Sequence, residues 1–205
     1  MSDTIIRDIE ALQRVYSEPP VARALTKELD HLSDHYRALI EASPFVLLAS
    51  VGPEGLDCSP RGDAPGFVKV ADQRTLLLPD RRGNNRIDTL KNIVRDPRVA
   101  LLFLVPGVGE TLRVNGTAEI DVDPALLALF DVGGKPAKSV LRIHVERVYF
   151  QCQKALARSR LWDPACQVER STLPTAGDIL SALDREFDGK TYDAGYPEHM
   201  KATLY

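Results

Sequence analysis

Leu76–Pro106, LLLPDRRGNNRIDTLKNIVRDPRVALLFLVP, is the stretch whose reading decides the fold. An apolar run breaks at Asp80 into arginines, a glycine and two asparagines, restarts as a helix over about 85–95, and stops at Asp96-Pro97 before a second apolar run. The interruption reads as an anion-binding turn. Arg81, Arg82 and Arg86 supply guanidinium forks, and Gly83 can take a positive φ. Asn84 or Asn85 can cap the helix opening near Ile87, whose first N–H groups have no partner within the helix. A phosphate monoester suits such a turn. A solvated basic loop between two core strands is the competing reading of the same residues.

Upstream, residues 3–16 and 21–42 read as helices divided by Pro19-Pro20, the second carrying Val21, Leu25, Leu29, Leu32, Tyr36 and Leu39 on one stripe. From Pro44 the period changes. FVLLASV, GLDCSPRG, GFVKVAD and RTLLLPD are short runs punctuated by Gly, Pro and Asp, as consecutive antiparallel strands are. Downstream, VALLFLVP and ETLRVNGTAEID supply two more strands, and Asp123-Pro124 opens a short helix, ALLALF. The Gly- and Lys-rich loop VGGKPAK leads into SVLRIHVERVYFQ, a long strand with a bulge. Thr175–Phe187 forms a last amphipathic helix, and 188–205 shows no clear period. The expected organisation is one domain: N-terminal helices over 1–42, a barrel core of six or seven strands over 43–162, and a C-terminal helix and tail over 163–205.

With 205 residues, 44% apolar and 27% charged, the chain can bury one sizeable core. A formal net charge of -3 argues against nucleic acid as a partner, so the arginine cluster is a local device. Cys58, Cys152 and Cys166 form no CxxC pair and make a poor disulfide framework, which with the absence of an apolar signal core points to the cytoplasm. No run is long enough for a membrane span. His31 and His35 have the i, i+4 spacing of metal ligands but lack the zinc-protease glutamate. Cys152, Cys166, His144 and His199 have no structural-zinc spacing, and no metal is expected.

A leading helix, strands, an Arg/Gly/Asn turn opening a helix, DPRVALLF and then LRVNGTAEI together resemble the pyridoxamine 5'-phosphate oxidase-like family of FMN-binding split β-barrels, over roughly 40–162. QCQKALARSRLWDP resembles the signature of a branch distinct from the vitamin oxidases, whose members often carry Cys-Pro-Lys-Ala where this chain has Cys152-Gln153-Lys154-Ala155. The resemblance implies an α+β, mainly β fold: a split β-barrel of six to seven antiparallel strands with flanking helices, in a homodimer with two flavin sites at the subunit interface.

The same resemblance puts Arg81, Asn85 and Arg86, with Asn84 beside them, at the phosphate of FMN, and Pro79 and Asp80 beneath the ribityl chain. In CSPRGD it sets Arg61, Gly62 and Asp63 against the ring. Asp80 can also be an ordinary turn residue paired with Arg81 or Arg82, Arg61 an edge-strand charge, and Cys58 a packing residue. Arg113 and Asn115 alternate with Leu112 and Val114, so they share one strand face, which in the family approaches the flavin from the second subunit. Lys154, Arg158, Ser159 and Trp162 are spaced to gather on one side of a helix or turn, with Trp162 either stacked near the ring or in the core.

The vitamin oxidases carry an Arg-x-His pair beyond their late tryptophan. Here the only such pair, Arg142-Ile143-His144, precedes Trp162 within a predicted strand, so oxidation of pyridoxamine 5'-phosphate is not expected. The expected protein is a flavoprotein performing two-electron transfer on an unidentified small molecule, with no side chain standing out as acid or base. A deazaflavin-dependent reductase and a non-enzymatic flavin or haem carrier or sensor are the alternatives.

Overall fold

The computed structural model describes residues 4–205. Seven strands form one sheet: β1 (Phe45–Gly52), β2 (Gly55–Gly62), β3 (Lys69–Asp72), β4 (Thr75–Asp80), β5 (Arg98–Leu104), β6 (Thr111–Asp121) and β7 (Ser139–Gln151), in the order β2-β1-β5-β6-β7-β4-β3. Every pairing is antiparallel. The α+β split barrel expected from the sequence is the observed fold. β2 and β4 stand far apart in that order, yet an ion pair joins Arg81, just past β4, to Asp63, just past β2. The sheet therefore curls until its two ends meet, and the mouth of the split lies between them.

Strand character follows from burial. β1 buries Val46, Leu48 and Ser50 and β5 buries Val99, Leu101 and Phe103, alternate residues whose side chains fill one core with Leu112, Val114 and Ile143. β4 lacks alternation because both of its faces are covered. Leu76 and Leu78 enter the main core, while Leu77 packs with Leu126 and Phe130 around the short helix α5 (Pro124–Ala128, numbered with the other helices below). The bulge expected in the last strand is present: β6 Asn115 pairs with Arg147 and Gly116 with Val145, leaving Glu146 as the extra residue. At that point an added Cβ on Gly116 would lie 1.9 Å from the carbonyl oxygen of His144, so only glycine fits.

The helices are α1 (Ile9–Val15), α2 (Ala22–Thr26), α3 (Asp34–Ala42), α4 (Asp88–Arg95), α5, α6 (Lys154–Ser159), α7 (Ala176–Leu183) and α8 (Gly189–Thr203). Three expectations need correction. Of the helix expected over 3–16, residue 3 lies outside the described residues and only Ile9–Val15 is helical. The helix expected over 21–42 is two, because the backbone of Leu29 leaves the helical path to exchange both hydrogen bonds with Val148 of β7, at 2.8 and 2.9 Å. Ser33 then starts α3 as N-cap, accepting from the Tyr36 N–H. His31 and His35 consequently do not share one helix face. The tail is also helical: Asp188 caps α8 and Gly189 packs directly on Gly177 of α7. Gly189 is the one residue α8 buries, so its sequence carries no apolar stripe to read. Among the described residues no helix is long and apolar enough to cross a membrane.

Candidate functional site

The split opens into a cleft of about 910 Å³ between β2, the β4–α4 turn and the start of β7. Nine of the fourteen candidate cofactor-binding residues line it, Arg61, Gly62, Asp63, Pro79, Asp80, Arg81, Asn84, Asn85 and Arg86, together with Arg82 and Gly83 of the same turn. Register explains the convergence. Asp80 of β4 pairs with Ser139 of β7, which brings Lys138 alongside, and sheet closure brings β2 across. At the end of β2 an added Cβ on Gly62 would stand 3.3 Å from the Pro44 carbonyl, a tight fit against the start of β1.

The turn works differently from its sequence reading. Neither Asn84 nor Asn85 caps α4. Ile87 is the N-cap, in left-handed conformation (φ 50°) and without a side-chain cap bond, while the Asn84 amide oxygen accepts from the Arg86 N–H at 3.1 Å. Gly83 does not carry the positive φ; Asn85 (φ 61°) and Ile87 do. A β-branched residue in that region is strained, and such strain concentrates where backbone is held for function.

Five cations and four carboxylates line the cleft, and their pairing decides what remains for a ligand. Arg81 donates from Nε to Oδ2 of Asp63 at 2.9 Å and from Nη1 to the Phe130 carbonyl at 2.8 Å. Arg86 holds Asp88 at 2.8 Å in an exposed pair, and Lys138 reaches the Asn85 amide oxygen at 3.4 Å. Arg82 makes no hydrogen bond or ion pair among the described residues, and Arg61 makes only a local bond to the Pro60 carbonyl. Asp80 has neither of the arginine partners that its reading as a turn residue required. Burial raises its pKa, against the opposing pull of the Arg61 and Lys138 charges. Burial also pushes Asp63 upward, but hydrogen bonds from Tyr205, the Ala64 N–H and Arg81 outweigh it and hold its pKa below the ordinary value.

The other five candidates lie elsewhere on the chain. Arg113 and Asn115 share the outer face of β6, where Arg113 donates to the Tyr149 hydroxyl at 2.9 Å and lies over its ring. Lys154 and Arg158 are exposed on α6. Trp162 does not continue that face, because Arg160 turns left-handed (φ 52°) and ends the helix; Trp162 is half-buried, and its Nε1 donates to the Val108 carbonyl at 2.8 Å in the β5–β6 turn. Cys58, read as a packing residue, is exposed. Among the described residues no three metal-ligating side chains gather.

Sequence reading missed Phe67, Lys138, Ser139, Leu204 and Tyr205, all of which line the cleft. Lys138 was accessible in principle, since pairing β4 against β7 puts it beside Asp80. Nothing local marks Tyr205.

Residues 32–152, more than half of the chain, match the family model described as pyridoxamine 5'-phosphate oxidase. The chain belongs to this family. Among solved structures, HupZ of Group A Streptococcus is 22% identical, with 59% of this chain and 94% of that one covered and a TM-score of 0.48. A candidate pyridoxamine 5'-phosphate oxidase from Lactobacillus delbrueckii is 27% identical, with 60% and 98% covered and a TM-score of 0.46. A structure described as an F420 reductase is 21% identical, with 57% and 98% covered and a TM-score of 0.43. No curated protein matches the chain.

Proposed function

We propose that the cleft binds FMN and that the protein is a homodimeric oxidoreductase acting on a small molecule. The observation that carries this reading is the meeting of β2, the β4 end and the Arg/Gly/Asn turn around one cleft whose volume suits a cofactor and whose arginines and Lys138 outnumber its carboxylates. The donor set fits a ligand with a phosphate at one end and a flat ring at the other. Arg81 through its uncommitted Nη2, with Arg82, Arg86 and Lys138, would hold the phosphate, Asn84 and Asn85 adding amide donors. Pro79 and Phe67 offer apolar wall, and Arg61 would set a positive potential beside the ring, which favours added electrons. Asp80, whose pKa burial raises against the pull of Arg61 and Lys138, adds a carboxyl to the cleft wall.

A bound flavin supplies the two-electron chemistry. The chain contributes binding, orientation and exclusion of water. Arg113, Asn115, Lys154, Arg158 and Trp162, outside the cleft of their own chain, would complete the site of the second subunit.

Replacing Arg86 with Ala should weaken FMN binding by about 1.5–3 kcal/mol, tenfold to a hundredfold, and leave riboflavin binding almost unchanged. Fluorescence titration of both ligands reads this, and equal losses would contradict the phosphate assignment. The mass and absorption spectrum of the small molecule that co-purifies separate FMN from a deazaflavin or haem.

A further inference from the structure

Tyr205 follows α8, in a segment whose sequence shows no pattern, yet it enters the cleft. Its hydroxyl donates to Oδ1 of Asp63 at 2.7 Å, and the Arg81 guanidinium lies over its ring at 5.2 Å from the centroid. Its own carbonyl is held by Lys135 Nζ at 3.0 Å. The pair it touches is largely withdrawn from solvent, with side-chain exposures of 19% for Arg81 and 6% for Asp63. Asp63 accepts three donors: Arg81 Nε, the Tyr205 hydroxyl and the Ala64 N–H. Arg81 is thus fixed by Asp63 at Nε, by the Phe130 carbonyl at Nη1 and by an aromatic face, which leaves Nη2 as its uncommitted nitrogen. A rotamer-rich side chain held this way loses little further freedom on meeting an anion. With Tyr205 in place the cleft still measures about 910 Å³, so the residue forms wall and does not plug the site.

We propose that Tyr205 is a positioning residue of the cleft, holding Arg81 through its ring and through Asp63 so that the remaining guanidinium donors meet the anionic end of the ligand. The proposal rests on the FMN reading for the identity of that ligand. No motif marks the role; it exists because the chain beyond α8 returns to the mouth of the barrel.

The test uses the full chain and its Tyr205→Phe and Tyr205→Ala variants, titrated with FMN and with riboflavin. Tyr205→Ala should lower FMN affinity about tenfold while riboflavin affinity changes less than about twofold, and Tyr205→Phe, which keeps the ring over Arg81, should recover part of the loss. Equal losses for both ligands would reduce Tyr205 to a structural contact. Unchanged FMN affinity would make it a bystander, and tighter FMN binding would make it a plug; each overturns the proposal. If the native protein binds neither flavin, the FMN reading fails by itself, and Tyr205 is judged on the Arg81 Nε–H signal in ¹⁵N spectra. Slow exchange of that signal in the native protein and fast exchange in Tyr205→Ala supports the positioning role. Equal exchange in the two refutes it.

Discussion

Asp63 and Arg81 join two strand ends that share no backbone pairing, so the energetics of this pair decide how well the split stays closed. Removing one partner of a buried pair leaves an uncompensated charge, and Asp63→Ala should cost about 3 kcal/mol in urea unfolding. The pH dependence has a definite sign. The folded pKa of Asp63 is depressed, so its contribution is complete above the unfolded value of about 3.9 and is lost as pH falls through the lower folded value. The stability difference between the native protein and Asp63→Asn should therefore be flat above about pH 5 and shrink in acid; a difference that grew in acid would refute this assignment. Both residues were legible in the sequence as site candidates because each sits in a recognisable motif. Their partnership was not, since it depends on how far the sheet curls. Ile87 was illegible for another reason: a β-branched residue at positive φ runs against local preference, and only the surrounding structure imposes it.

Gly116 shows an element legible in outline and decided in detail by one contact. The long final strand and its bulge follow from SVLRIHVERVYFQ, but the need for glycine opposite the bulge appears only once His144 is placed. Gly116→Ala should cost about 3 kcal/mol, the upper end for overpacking, whereas Gly83→Ala, with nothing within 4 Å of its added Cβ, should cost little. Urea midpoints compare the two. β7 also bears on substrate choice. Arg142 and His144 lie on its exposed face, Arg142 paired with Asp121 at 3.0 Å, and neither lines the cleft. Efficient oxidation of pyridoxamine 5'-phosphate is therefore not expected, and kcat/KM for that substrate in flavin-saturated protein should fall well below an ordinary enzyme's range, about 10⁴ M⁻¹s⁻¹. Oxygen uptake at or above that figure would show that another part of the chain holds the pyridine ring. The helices teach the opposite lesson from β7. α2 and α3 share a continuous apolar stripe in sequence, yet a strand pairing at Leu29 breaks it, and α8 forms without any stripe, tied down by its Asp188 cap, the Gly189–Gly177 contact and Asp193, which accepts from the Gly177 N–H.

For the molecule as a whole, the proposed dimer can be tested on surfaces that a single chain leaves exposed. α1 buries none of its residues, leaving Ile9, Leu12 and Val15 exposed, and the outer face of β6 presents Arg113. Sedimentation equilibrium should give twice the chain mass, and Arg113→Glu should lower both dimerisation and retained FMN. A native monomer fully loaded with flavin would remove the dimer reading. The sheet order has a consequence for synthesis. β4 is made early, but its inner neighbour β7 emerges only after α4, β5, β6 and α5. Until then the four-residue β3 is the only strand hydrogen-bonded to β4, a pairing too small to be stable alone. A nascent chain arrested before Ser139 thus exposes an unprotected apolar edge next to its arginine cluster. That interval is when the polypeptide is most open to chaperones, to proteases and to sticking to its neighbours on the ribosome.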